Sequence, residues 1–72
     1  MGDYKAALRR RALQQIAAAG RRGIFVERGW ESVTQQQLVN DGMIEQVITR
    51  GGRSYKFTIT ADGKRELEAT NA

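Results

Sequence analysis

A chain of 72 residues with a net charge of +4 makes one small domain, and a domain of this size buries only about 60% of the surface its unfolded chain exposes. Neither cysteine nor histidine is present, which excludes a disulfide framework, a thiolate or imidazole metal site, and a Ser-His or Cys-His nucleophile. An enzyme would have only carboxylates, lysine or tyrosine to work with, so the expectation is a binding module that is not an enzyme and needs no cofactor.

The charge is uneven. Residues 1–30 hold seven basic and two acidic groups, whereas residues 31–72 hold five and six. Such asymmetry suits a polyanionic partner, the plain alternative being a solvated basic helix face. The opening Met1-Gly2-Asp3-Tyr4 has no apolar h-region, and Ala6 stands where a myristoylation signal wants Ser or Thr. No run reaches membrane-spanning length, and the absence of cysteine suits a reducing compartment. The chain is therefore expected to be cytoplasmic and to have no membrane partner.

Residues 3–19, DYKAALRRRALQQIAAA, are helix formers without Gly or Pro, and Asp3 is placed to cap the N-terminus. On a helical wheel Leu8, Ala12, Ile16 and Ala19 form one stripe with Leu13 at its edge, while Arg10, Arg11 and Gln14 point away. Arg9 falls at the stripe's margin, so its guanidinium must snorkel to water or an anion. Gly20 ends the helix in the way a glycine after the C-cap does.

Next, Ile24-Phe25-Val26 is a short apolar run bounded by glycines, readable as a three-residue strand on the edge of a sheet or as a core-filling loop. Trp30, the sole tryptophan, is expected to plug the core over helix and sheet; the alternative is base stacking or the anchoring of a partner. Thr34 as N-cap, Gln37 as its capping-box partner, and Val33 with Leu38 as a staple predict a helix from about Gln35 to Asp41. Trp30 and Val33 could extend it backwards by a turn, and Gly42 stops it. Thr34, Gln35, Gln36 and Asn40 then give an uncharged face able to read adenine edges in a major groove or merely to meet solvent.

Residues 43–60, MIEQVITRGGRSYKFTIT, predict a β-hairpin around a two-residue Gly51-Gly52 turn flanked directly by Arg50 and Arg53. That loop sets Ile48 opposite Tyr55, Gln46 opposite Phe57 and Ile44 opposite Ile59 on a buried face, leaving Glu45, Val47, Lys56 and Thr58 on the wet one. Arginines facing each other across the strands cost stability unless an anion sits between them, a conflict that functional sites tolerate. Thr60 then caps a short helix with Asp62 in its first turn and Leu67 as its large apolar residue. Gly63 would let that helix approach the hairpin closely, and residues 70–72 are expected to fray. There is no internal repeat or linker, and no glycine pair has phosphate-loop spacing.

The run LVNDGMIE at residues 38–45, followed by GGRSYKFTITADGK at residues 51–64, resembles the second half of bacterial and phage winged-helix proteins. There a leucine-bearing helix steps through "glycine, apolar, isoleucine" into a wing, whose second strand closes as "tyrosine, x, apolar, threonine" before "x, x, glycine, basic". The match covers about residues 38–67. In such families the helix before the wing enters the major groove and the wing touches phosphate or the minor groove. The resemblance implies an α+β, winged-helix-like single domain over residues 1–72, with an N-terminal helix, a short second helix, a β-hairpin wing and a short C-terminal helix. It also implies recognition by Thr34, Gln35 and Gln36, with Arg50 and Arg53 at the wing tip. Adding four of the arginines of the first half and the hairpin lysine, the candidate nucleic-acid-binding residues are Arg9, Arg10, Arg21, Arg22, Thr34, Gln35, Gln36, Arg50, Arg53 and Lys56.

A full winged helix fits two further helices ahead of the helix that leads into its wing, whereas fifteen residues separate Val26 from Gly42 here. One helix is missing, very short or merged with its neighbour. The expected function is that of a DNA-binding module of the transcription-regulator type, as monomer or homodimer. The alternative is a protein-interaction module on the same scaffold, such as a phage-type factor docking on host machinery or serving in assembly.

Overall fold

The computed structural model describes residues 2–71, and the side chains of residues 4–69. The expected cap at Asp3 falls outside the described side chains; of residues 70–72, expected to fray, residues 70 and 71 are helical and residue 72 lies outside the described residues. Three α-helices and a three-stranded antiparallel sheet make a small α+β domain. Helix α1 spans Gly2–Ala19 and runs through a 3₁₀ turn, Gly20–Arg22, into strand β1, Ile24–Glu27. Helix α2, Val33–Asn40, leads into the hairpin of β2, Ile44–Ile48, and β3, Ser54–Ile59, after which α3 covers Ala61–Asn71. Strand order is β1-β3-β2. Residues 24–26 thus belong to a strand rather than a loop, and that strand joins the inner hairpin strand, with Ile24 opposite Phe57 and Glu27 opposite Ser54.

The hairpin register is the one the alternation of residues demands: Ile44 pairs with Ile59, Gln46 with Phe57 and Ile48 with Tyr55. Its loop is longer than expected. Thr49 N–H donates to Ser54 O at 2.9 Å, and Gly52 N–H closes a turn onto Thr49 O at 2.9 Å. Arg50 and Gly51 are therefore the central turn residues, and the φ of +95° at Gly51 is the conformation a type II turn requires at its third position. Arg50 sits in the turn, so the two arginines do not oppose each other in the ladder.

The core is thin. Leu13 and Ile16 of α1, Leu38 of α2, Ile44 of β2 and Phe57 of β3 are buried, with Val26, Val39, Met43, Tyr55, Ile59 and Leu67 packed around them. The stripe of α1 is centred on Leu13 and Ile16, and Leu8 is left 37% exposed at its edge. α1 lies against β3, α2 and α3, so its buried stripe packs into the centre of the core. The hairpin outruns this cover: the Ile44 end of its inner face is buried, but Gln46 is exposed and Ile48 is 57% exposed.

The cap of helix α2 lies two residues earlier than expected, at Ser32 instead of Thr34. Ser32 Oγ accepts from Gln35 N–H at 3.0 Å while Gln35 Oε1 accepts from Ser32 N–H at 2.8 Å, a complete capping box. Thr34 is consequently inside the first turn, and Val33, 69% exposed, makes no staple. At the other corner Thr60 behaves as expected, its Oγ1 accepting from Gly63 N–H at 3.1 Å. Gly63 is buried against the hairpin, where an added Cβ would stand 2.7 Å from Ile59 Cγ1 and overlap the Met43 carbonyl. Only glycine admits that approach.

Candidate nucleic-acid interface

The arginines of the hairpin loop gain a third companion from β1. Because Glu27 pairs with Ser54, the turn after β1 lies beside the loop between β2 and β3. Arg28 N–H donates to Arg53 O at 3.0 Å, and Arg28 Nη1 donates to Gly52 O at 3.2 Å. Arg28, Arg50 and Arg53 are all exposed at this end of the sheet. Three guanidiniums on two tied turns can each fork onto a phosphate or onto a guanine edge. Arg28 was absent from the expected set, because its place depends on which strand β1 joins. The sequence carries an Arg-Gly step at Arg22-Gly23, Arg28-Gly29 and Arg50-Gly51, and nothing local tells which of these turns lie together.

Trp30 is the largest departure from expectation. It is 77% exposed and plugs nothing. Its N–H bonds Glu27 O at 2.9 Å, which places it on the same turn as Arg28. Leu13, Ile16 and Phe57 already fill the space beneath α1, so the core does not draw the indole in.

The other expected residues are dispersed. Arg9 is committed within the fold: Nε and Nη2 fork onto the Glu66 carboxylate at 2.7 and 2.9 Å, and Nη1 reaches Asp41 Oδ2 at 2.7 Å. The hydrogen bond to Glu66 is the largest of the influences that raise its pKa above the ordinary arginine value. The anion its snorkelling called for is thus supplied by α3 and the end of α2, not by a ligand. Arg10 is exposed on α1 along a depression shared with Tyr4, Leu8 and Arg11. Arg21 and Arg22 lie on the 3₁₀ turn at the opposite end of β1, where Arg21 shares a shallow depression with Lys64 and Thr58. With about 3.4 Å per strand residue, the five-residue step from Arg53 to Thr58 separates this group from the tip by roughly 17 Å. Lys56 is half-buried on the outer sheet face, in the row Phe25, Lys56, Val47.

On α2 only part of the expected polar face is available. The Gln35 amide oxygen is held in the capping box, and Thr34 is half-buried where α2 meets α1. Gln36, Gln37 and Asn40 are exposed. Among the described residues no group of His, Cys, Asp and Glu could hold a metal ion, and no helix is long and apolar enough to cross a membrane. The chain matches no protein-family model, no curated protein and no solved structure.

Proposed function

We propose that the domain is a DNA-binding module of winged-helix-like build, with the hairpin as its wing and α2 as the helix offered to a groove. The observation that carries this proposal is the end of the sheet, where Arg28, Arg50 and Arg53 are exposed on two turns hydrogen-bonded to each other. Exposed charge held on a short, braced loop does little for folding and suits a polyanion. On α2, Gln36 is exposed while the Gln35 amide is held in the capping box, so Gln36 is the expected amide left to offer a base edge. The chain acts by binding, not catalysis, in a bacterial or phage setting and in the cytoplasm.

The test is a double substitution, Arg50→Ala with Arg53→Ala, assayed on a mixed-sequence duplex by anisotropy over a salt series. Both residues lie on an exposed loop, so stability should change by no more than about 0.5 kcal/mol. Affinity should fall for all sequences alike, and the log-log salt slope should shrink by about two units if both contacts are to phosphates. Wild-type affinity and slope in the double mutant would remove the wing from the interface.

A second function is favoured by one observation, the groove between α1 and α2. Tyr4 and Val33, 72% and 69% exposed, line it with Leu8, beside Lys5 and Gln37. Such a surface suits an apolar protein segment with acidic neighbours. A partner retained from lysate after nuclease treatment and high salt, and lost on Val33→Asp, would favour this interaction module.

A further inference from the structure

Trp30 and the three arginines sit on adjoining turns, yet a closed duplex has little use for the indole. The turn is held without it: Trp30 N–H bonds Glu27 O, and Gly29 N–H donates to Glu31 Oε2 at 2.7 Å. An indole that is 77% exposed on a braced turn offers a preset flat surface at small ordering cost. Glu27 and Glu31 flank the same turn, so the tip is not uniformly basic and electrostatics alone gives it few phosphates to neutralise. Affinity there has to come partly from an uncharged contact. The π-face of a base is that contact, and in duplex it is covered by its neighbours, whereas unpaired bases present it freely.

We propose that Arg28, Trp30, Arg50 and Arg53 form a site for nucleic acid with unpaired bases, either a single strand or the junction of single and double strand. Trp30 stacks on one base, and the arginines hold the phosphates on either side of it. This inference rests on the nucleic-acid function proposed above and deepens it by naming the class of ligand.

Trp30 is the only tryptophan, so intrinsic emission reports on this one residue. The probes are labelled oligothymidylate and oligouridylate of about twelve nucleotides, within the usual site size for single strands, a junction carrying a thymidine overhang, and a blunt duplex. Emission should change with the single strands and the junction and stay nearly constant with blunt duplex. The relative affinity of thymidylate and uridylate separates DNA from RNA as the source of the unpaired bases. By anisotropy, Trp30→Ala should weaken single-strand and junction binding by about tenfold or more, leave blunt-duplex binding as it was, and leave thermal melting unaltered. Trp30→Phe should recover most of the loss, because a ring remains to stack. Duplex binding with constant emission, and a Trp30→Ala protein that holds single strands as wild type does, would overturn this inference and leave the DNA-binding proposal standing. Failure of every probe to bind would overturn both.

Discussion

Arg9 shows how one residue's surroundings decide its role. Its charge was legible in the sequence, as was its place at the margin of the buried stripe, but its partners come from residues 32 and 57 positions away. Sequence spacing cannot pair such distant groups. The forked contact with Glu66 ties α1 to α3, and the contact with Asp41 ties α1 to the end of α2. Arg9 side-chain exposure is 30%, so solvent screens the pair in part and the full value of a buried bridge does not apply. Allowing for lost stem packing as well, Arg9→Ala should cost about 1–2 kcal/mol in urea unfolding. Arg9→Lys should restore only part of that, since a point charge cannot fork onto Glu66 and reach Asp41 together. Duplex affinity of a still-folded Arg9→Lys protein should stay within about twofold of wild type, which separates Arg9 from the tip arginines. Trp30 is the reverse case: large and amphipathic, it suits a core and a surface equally, and only the filled space under α1 decides between them.

At the scale of elements, legibility followed how local the deciding interaction is. The hairpin register was readable because a one-residue slip inverts both faces and the alternation from Ile44 to Ile59 forbids it. Gly63 was readable because Thr60 fixes the start of α3 and the next turn has to meet the hairpin. The start of α2 was not, because the sequence offers two overlapping capping boxes, Ser32 with Gln35 and Thr34 with Gln37. They satisfy the same backbone rule, and the choice is made at the far end, where Leu38 must reach the core. Ser32→Ala should therefore destabilise the domain by about 1 kcal/mol, whereas Thr34→Ala, which removes no capping bond, should cost less than half as much. Equal losses in parallel denaturant titrations would mean that α2 begins at either cap in solution. The same substitutions bear on function, since Ser32→Ala frees the Gln35 amide that the box now holds.

For the whole molecule, the length of β1 keeps two basic groups apart, the tip and the turn after α1. From the sequence Arg21, Arg22 and Arg28 counted together in the basic first half, because they are neighbours in number. β1 carries the chain between them along the sheet, so Arg28 arrives at the tip while Arg21 and Arg22 stay behind. On the DNA-binding function proposed above, a duplex held at the tip would meet the first group and not the second. Replacing Arg28, Arg50 and Arg53 by alanine should then reduce the salt slope by up to about three units, in line with roughly 0.9 units per phosphate contact. Replacing Arg21, Arg22 and Lys64 removes the same net charge and should leave the slope nearly unchanged, with only a small uniform loss from the weaker long-range field. The pair of triple mutants isolates geometry from charge, because both proteins carry the same total. Equal reductions in slope would mean that net charge alone governs binding, and the braced turns at the tip would then have no special part in it.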